Sequence, residues 1–268
     1  MLQWLGTLNW AIPRCAPHLL RHLQRLQSVA SNFSPMHLEE AFKLGQRLYA
    51  DRFMGITFHG PNSKWWQIHE RPDNLMQPQV YADANLGNQY DSYPQVGIVA
   101  IIAGGCVQAT STRVKLAADS TAYAEMCASV AGIKVASQLT KFARDCWLQV
   151  PPPILWTDSE AALKIGSNVL HGSRRQRHWR VRTDVLVSAV QRGNVIYRKI
   201  DTTENLSDIL SKPCGGALFE SMAREICGAA PLVLPGTNLD IRHQNRVIKE
   251  ARRQAKAKAK AEERAKQP

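Results

Sequence analysis

Four acidic residues stand in contexts that chemistry can use. Asp83 follows the apolar run Val80-Tyr81-Ala82, Glu125 lies in Ala-Glu-Met, Asp158 in Trp-Thr-Asp-Ser-Glu, and Asp208 in Leu-Ser-Asp-Ile-Leu-Ser-Lys-Pro. Two of them, Asp83 and Asp158, end predicted strands. Glu125 falls about one turn into a predicted helix, and Asp208 in the first turn of another. Sites in open α/β sheets collect at strand ends and the helix starts beside them. Bare carboxylates resist such a meeting, because two unit charges about 4 Å apart repel by about 4 kcal/mol at an effective dielectric of about 20. A cation is needed to hold them. An oxygen-only set with no His or Cys nearby favours Mg²⁺ or Mn²⁺ over zinc. Two such ions about 3.5–4 Å apart activate a water and stabilise the leaving oxygen in a phosphodiester displacement. Plainer readings stay open beside this one. Asp158 fits a helix cap, Glu125 an exposed helix position, and Asp208 a partner for the helix dipole. Asp83, at a strand tip, is the hardest to explain away.

The composition narrows the partner. The 268 residues carry 34 Lys and Arg against 22 Asp and Glu, a net charge of +12. A surplus of that size points to a polyanion, and to nucleic acid ahead of an anionic membrane. Six scattered cysteines with no Cys-x-x-Cys argue against a zinc module or a disulfide framework and suit a reducing compartment, cytoplasm or nucleus. No apolar stretch approaches the length of a membrane span, and no secretion signal is evident. The first acid is Glu39, after Arg14, Arg21 and Arg25, a bias shared with transit peptides.

The elements that must position the acids follow from the periodicity. Leu19, Leu20, Leu23 and Leu26 recur at helical spacing, Ser34-Pro35 punctuates, and a second helix is predicted over 37–49. Residues 53–58 suit a strand, and 68–77 a linker. Strands are then predicted over 79–84, 96–103 and 106–114, with Gly104-Gly105 turning between the last two. Asp119-Ser120-Thr121 starts a helix that runs to about 147. Residues 154–157 form a buried strand, and Thr157 and Glu160 have capping-box spacing for a helix over 159–165. A basic stretch, Arg174, Arg175, Arg177, His178, Arg180 and Arg182, leads into a helix ending near 192. The strand 195–200 and a last helix complete the series. Three strands, helix, strand, helices, strand, helix imply a mixed α/β sheet with helices on its faces. The Lys-rich end, with Lys256, Lys258 and Lys260 alternating with Ala, suits a solvated helix or disorder.

These motifs resemble the RNase H domain of copia-type retrotransposon Pol polyproteins. The family's Tyr-Ser-Asp-Ala-Asp is met by Tyr81-Ala82-Asp83-Ala84-Asn85, and its Glu-Ala-Glu-Tyr by Tyr123-Ala124-Glu125-Met126. The strand motif is met by Leu155-Trp156-Thr157-Asp158-Ser159-Glu160-Ala161-Ala162, and Ala-Asp-Ile-Leu-Thr-Lys-Pro by Ser207-Asp208-Ile209-Leu210-Ser211-Lys212-Pro213. His171-Gly172-Ser173-Arg174 is similar to the His-Ser-Arg segment, and residues 5–55 to the end of the reverse transcriptase and its connection. The upstream match accounts for the acid-poor start better than a transit peptide does. Tyr123 and Asn85 depart from the pattern outside the four acids, and His178-Trp179-Arg180 stands where the family has His-Ile-Asp. No Tyr-x-Asp-Asp polymerase motif is present.

The resemblance implies an RNase H-like, mixed five-stranded sheet flanked by helices. It divides the chain into a helical connection segment (1–76), an RNase H-like domain (77–215) and a basic tail (216–268). It implies Asp83, Glu125, Asp158 and Asp208 as catalytic metal ligands for two Mg²⁺ or Mn²⁺ ions, and an RNA–DNA hybrid as substrate. The six basic residues of 174–182 are candidates to grip the backbone of the hybrid or of other nucleic acid. Trp179 either packs against the nucleic acid or sits in the core. The rest of a reverse transcriptase polyprotein is an expected partner. A catalytically inactive nucleic-acid-binding remnant and an integrase-like enzyme acting on DNA are the competing readings.

Overall fold

The computed structural model describes residues 2–60, 63, 74–86, 93–114, 118, 120–167 and 179–229. Five strands form one sheet: β1 (Gln79–Asn85), β2 (Gln95–Ile102), β3 (Gly105–Arg113), β4 (Ile154–Thr157) and β5 (Ile196–Lys199). Their spatial order is β3-β2-β1-β4-β5. The first three pair antiparallel, whereas β1 with β4 and β4 with β5 are parallel. Parallel neighbours need a crossover. Helix α4 (Thr121–Asp145) lies between β3 and β4 in the chain, and α5 (Glu160–Gly166) and α6 (Arg180–Gln191) between β4 and β5. This is the mixed, helix-flanked sheet that the motifs imply.

The two faces of the sheet have separate cores. Alternation along β1 sends Val80, Ala82 and Ala84 to one side, where they meet Met126, Val130, Ile133 and Ala136 of α4 and Leu186 of α6. Helix α4 comes close because Gly132 has no side chain: a Cβ there would lie 2.6 Å from Leu155 Cδ1 and 3.3 Å from Ala82 Cβ.

Tyr81 faces the other side, with Val99 and Ile101 of β2. That side is covered by α1 (Leu2–Cys15), α2 (Leu20–Ser28) and α3 (Pro35–Ala50), and by α7 (Asp208–Ser211) and α8 (Gly216–Ile226). Leu5, Leu8, Ile12, Leu23, Leu26 and Leu44 share one apolar cluster with Tyr81, Ile209 and Met222. The N-terminal helices therefore form part of the sheet's own core. The compact unit likewise continues past residue 215, since Phe219, Met222, Ala223 and Ile226 of α8 are buried in that cluster.

A polar layer ties α3 to α8. Arg47 donates to both oxygens of Glu220 at 2.6 and 2.8 Å and to Asp51 at 2.6 Å, and Asp51 also pairs with the fully buried His18 at 2.9 Å. The Arg47 and Glu220 side chains are 33% and 41% exposed, so solvent weakens their attraction. Arg47→Ala is expected to lower stability by about 1 kcal/mol, a melting shift of about 2–4 °C in a thermal melt.

Three local expectations need correcting. Residues 53–58 form no strand. Thr57 N–H donates to Cys227 O and His59 N–H to Ala103 O, so the segment runs beside the sheet without a continuous ladder. The β2–β3 turn is Ala103-Gly104, both at positive φ (51° and 78°), one residue earlier than expected. Helix α5 is capped by Ser159, whose Oγ accepts from Ala162 N–H, while Thr157 Oγ1 accepts from Ser159 N–H. Asp119 and the residues His171 to His178 lie outside the described residues.

Candidate active site

Strand register brings the first two acids together. Val80 pairs with Leu155 and Tyr81 with Trp156 in the parallel β1–β4 ladder. Two residues further along both strands stand Asp83 and Asp158. In the antiparallel ladder Asp83 lies opposite Gly97 of β2, and that glycine makes room for α7. A Cβ on Gly97 would fall 2.5 Å from Ser207 O and 2.9 Å from Ser211 N. The short helix thus rests directly on the strand beside Asp83. It is held there by Ser111 Oγ of β3, which donates to Leu210 O at 2.6 Å. At its start, Asn205 Oδ1 accepts from the Ser207 hydroxyl at 2.6 Å.

The result is a tight acidic cluster. One carboxylate oxygen from each of Asp83, Asp158 and Asp208 lies within 4.8 Å of the other two. Asp83 is fully buried and Asp208 is 7% exposed. Glu125 stands outside that set but borders it. It enters from α4, whose N-cap Ser120 accepts from Tyr123 N–H at 3.2 Å. Burial pushes the Glu125 pKa up to about 9, with the charges of Asp83 and Asp158 adding to the effect. Asp208 is pushed up to about 8, again by burial first and then by Asp83, and Asp83 is raised for the same leading reason. The buried Glu125 Oε2 has no hydrogen-bond partner among the described residues. Oxygen donors only, mutual repulsion and an orphaned carboxylate oxygen together fit hard divalent cations.

Two participants carried no role in the sequence reading. Lys212 Nζ lies 3.0 Å from Asp83 Oδ1 and 3.2 Å from both Asp208 oxygens, and Ser211 Oγ donates to Asp83 Oδ2. Burial disfavours the Lys212 charge, yet Asp83 and Asp208 outweigh it and raise the lysine pKa. The signal was available: Lys212 stands four residues after Asp208, directly past the short helix that the acid opens.

The basic candidates divide. Arg180 and Arg182 open α6. Arg180 is exposed beside Asp184 at 3.9 Å, and the Arg182 guanidinium lies 5.8 Å from the centre of the Tyr123 ring. Arg174, Arg175, Arg177 and His178 lie outside the described residues. Trp179 is 6% exposed and packs against Tyr123 with ring centres 5.3 Å apart. It is a core residue, the second of the two placements open to it.

The acid cluster sets a pH dependence. A carboxyl whose folded pKa lies above its unfolded value contributes stability that is complete below the unfolded value and is lost as pH rises from there through the folded pKa. For Asp208 and Glu125 the loss runs up to about pH 8 and 9. His18 has its pKa lowered by burial, so its effect is confined to lower pH. The melting temperature of the metal-free protein is therefore expected to fall from about pH 5 up to about pH 9, and to fall less with saturating Mg²⁺. Melts at several pH values, with and without the ion, check both parts.

Strand order and pairing, with Asp83 near the end of β1 and Asp158 just past the end of β4, match an RNase H-like fold. No protein-family model matches the chain. The Gag-Pol polyproteins of transposons Ty1-NL2 and Ty1-LR3 of Saccharomyces cerevisiae are 28% identical over 145 and 144 residues, 53% of this chain in each case. The chain spans only 8% of those polyproteins. Among solved structures, the N-terminal RNase H domain of a Mycobacterium tuberculosis protein covers 51% of the chain at 13% identity and a TM-score of 0.41, with 91% of that domain matched. LC11-RNase H1, isolated from compost, covers 51% at 14% identity and a TM-score of 0.41, with 93% of it matched. In its motifs, and over half its length in curated relatives, the chain is thus similar to the RNase H region of copia-type retrotransposon Pol polyproteins.

Proposed function

We propose that this chain hydrolyses the RNA strand of RNA–DNA hybrids as the RNase H portion of a copia-type Pol protein. The observation that carries the proposal is the convergence of Asp83, Asp158 and Asp208 within 4.8 Å, with Glu125 at their edge. These four residues would hold two divalent cations, Mg²⁺ or Mn²⁺. When bound, the ions supply an activated water and charge neutralisation at the leaving oxygen. The protein's own contribution is placement. The β1–β4 register aligns Asp83 with Asp158, Gly97 admits the helix carrying Asp208, and Ser211 fixes the orientation of the Asp83 carboxylate. Arg180 and Arg182, with the basic run before them, are assigned to the hybrid's phosphates, and the helices before residue 77 to the end of a reverse transcriptase connection. No helix among the described residues is long and apolar enough to cross a membrane.

The test is cleavage of an end-labelled RNA–DNA hybrid with Mg²⁺, beside duplex DNA and a chelator control. Hybrid-specific cutting that the chelator abolishes supports the reading. Salt-sensitive binding with no cutting would instead indicate the inactive remnant, and cutting of duplex DNA the integrase-like enzyme.

A further inference from the structure

The acid cluster already contains a cation of its own. The Lys212 ammonium lies 3.0 Å from Asp83, 3.2 Å from Asp208 and 4.0 Å from Asp158, the same three acids whose oxygens converge. We propose that Lys212 is the displaceable counter-ion of this site: its ammonium neutralises the cluster in the metal-free protein and withdraws when divalent cations bind. The inference rests on the reading of these acids as metal ligands and concerns what occupies them beforehand.

Competition for lone pairs is the first argument. An ammonium donates hydrogen bonds to carboxylate oxygens, and a hard cation takes the same lone pairs as ligands. Asp83 has little to spare, since Ser211 already donates to its Oδ2, leaving Oδ1 for Lys212. Charge is the second. A monovalent and a divalent cation would repel each other across a few ångströms of a largely buried site, where salt screens weakly. Reach is the third. The Lys212 side chain is 33% exposed on a flexible four-carbon stem, so Nζ can move into solvent while the backbone stays in place. That backbone is fixed, because Lys212 N–H donates to Asp208 O at 2.8 Å. The arrangement lets the chain fold with its acids together before any metal arrives, and makes metal binding an exchange of one cation for another.

Calorimetric and melting titrations with Mn²⁺ test this on the full chain and on Lys212→Met. The variant is expected to melt lower than wild type without metal and to bind Mn²⁺ about tenfold more tightly. Equal affinities would overturn the counter-ion role and leave the metal reading standing. No Mn²⁺ binding by either protein would overturn the metal reading and the role with it. If Lys212→Met does not fold, reductive methylation of wild type, read by mass spectrometry at Lys212, decides the matter. Labelling is expected to rise when Mn²⁺ is added, and unchanged labelling overturns the proposal.

Discussion

Asp83→Asn is expected to reduce hybrid cleavage by about a thousandfold while leaving the protein folded. The loss follows from the place of Asp83 at the centre of the site, fully buried and part of the three-acid set. Removing one charged ligand weakens metal-borne stabilisation of the transition state, which is worth several kcal/mol; about 4 kcal/mol corresponds to about a thousandfold in rate. The fold should tolerate the change. Asn keeps the shape and an acceptor for the Ser211 hydroxyl, and Lys212 retains Asp208 at 3.2 Å. Burial also disfavours the Asp83 charge, so its removal relieves part of that cost. The two readouts are the initial rate on a labelled hybrid and the metal-free melting temperature. Activity within tenfold of wild type would remove Asp83 from the chemistry. A collapse in melting temperature would make it a structural residue first.

Gly97→Ala is the second large effect, and it acts through packing. The added methyl would meet Ser207 O at 2.5 Å, Leu210 Cβ at 2.9 Å and Ser211 N at 2.9 Å, of which two are backbone atoms that cannot rotate away. Overpacking of this kind costs about 1–3 kcal/mol, or about 3–10 °C in melting temperature for a domain of this size. The strain falls on the helix that carries Asp208 and precedes Lys212, so the acids separate as α7 lifts from β2. Hybrid cleavage should therefore fall well beyond what the lost stability explains, and added Mg²⁺ should not restore it. Gly6 is the control: it lies within α1 with nothing within 4 Å of a Cβ, so Gly6→Ala should be neutral or stabilising by up to about 1 kcal/mol. Melts and cleavage rates of the two variants, side by side, separate site distortion from a general loss of fold.

Much of the site was legible because local patterns placed it. The apolar run before Asp83, the Ser120 start of α4, the short apolar run before Asp158 and the closing motif around Asp208 are nearest-neighbour signals, and they located Asp83, Glu125, Asp158 and Asp208 on their elements. Where such signals were thin, the reading slipped. Residues 53–58 have strand-like composition but pair with parts of the chain more than 40 residues distant, and those contacts give isolated hydrogen bonds. Ala103 adopts positive φ because the tight β2–β3 connection demands it, which its residue type does not announce. The sequence left Trp179 open between nucleic acid and core, and the core holds it, since a large aromatic ring stabilises more against Tyr123 than on a wet surface.

By itself the sequence determined the strand and helix order, the four acids, the positive charge and the resemblance to copia-type Pol. Only the tertiary structure decided how these parts meet. Side-chain periodicity assigns a face to each element but not the neighbour that covers it. The burial of the N-terminal helices and α8 against Tyr81, Val99 and Ile101 therefore emerged only on folding. The same holds for Lys212. Its charge is visible in the sequence, but its place among three carboxylates depends on the β1–β4 register and on the missing side chain at Gly97, two long-range contacts that no local pattern encodes.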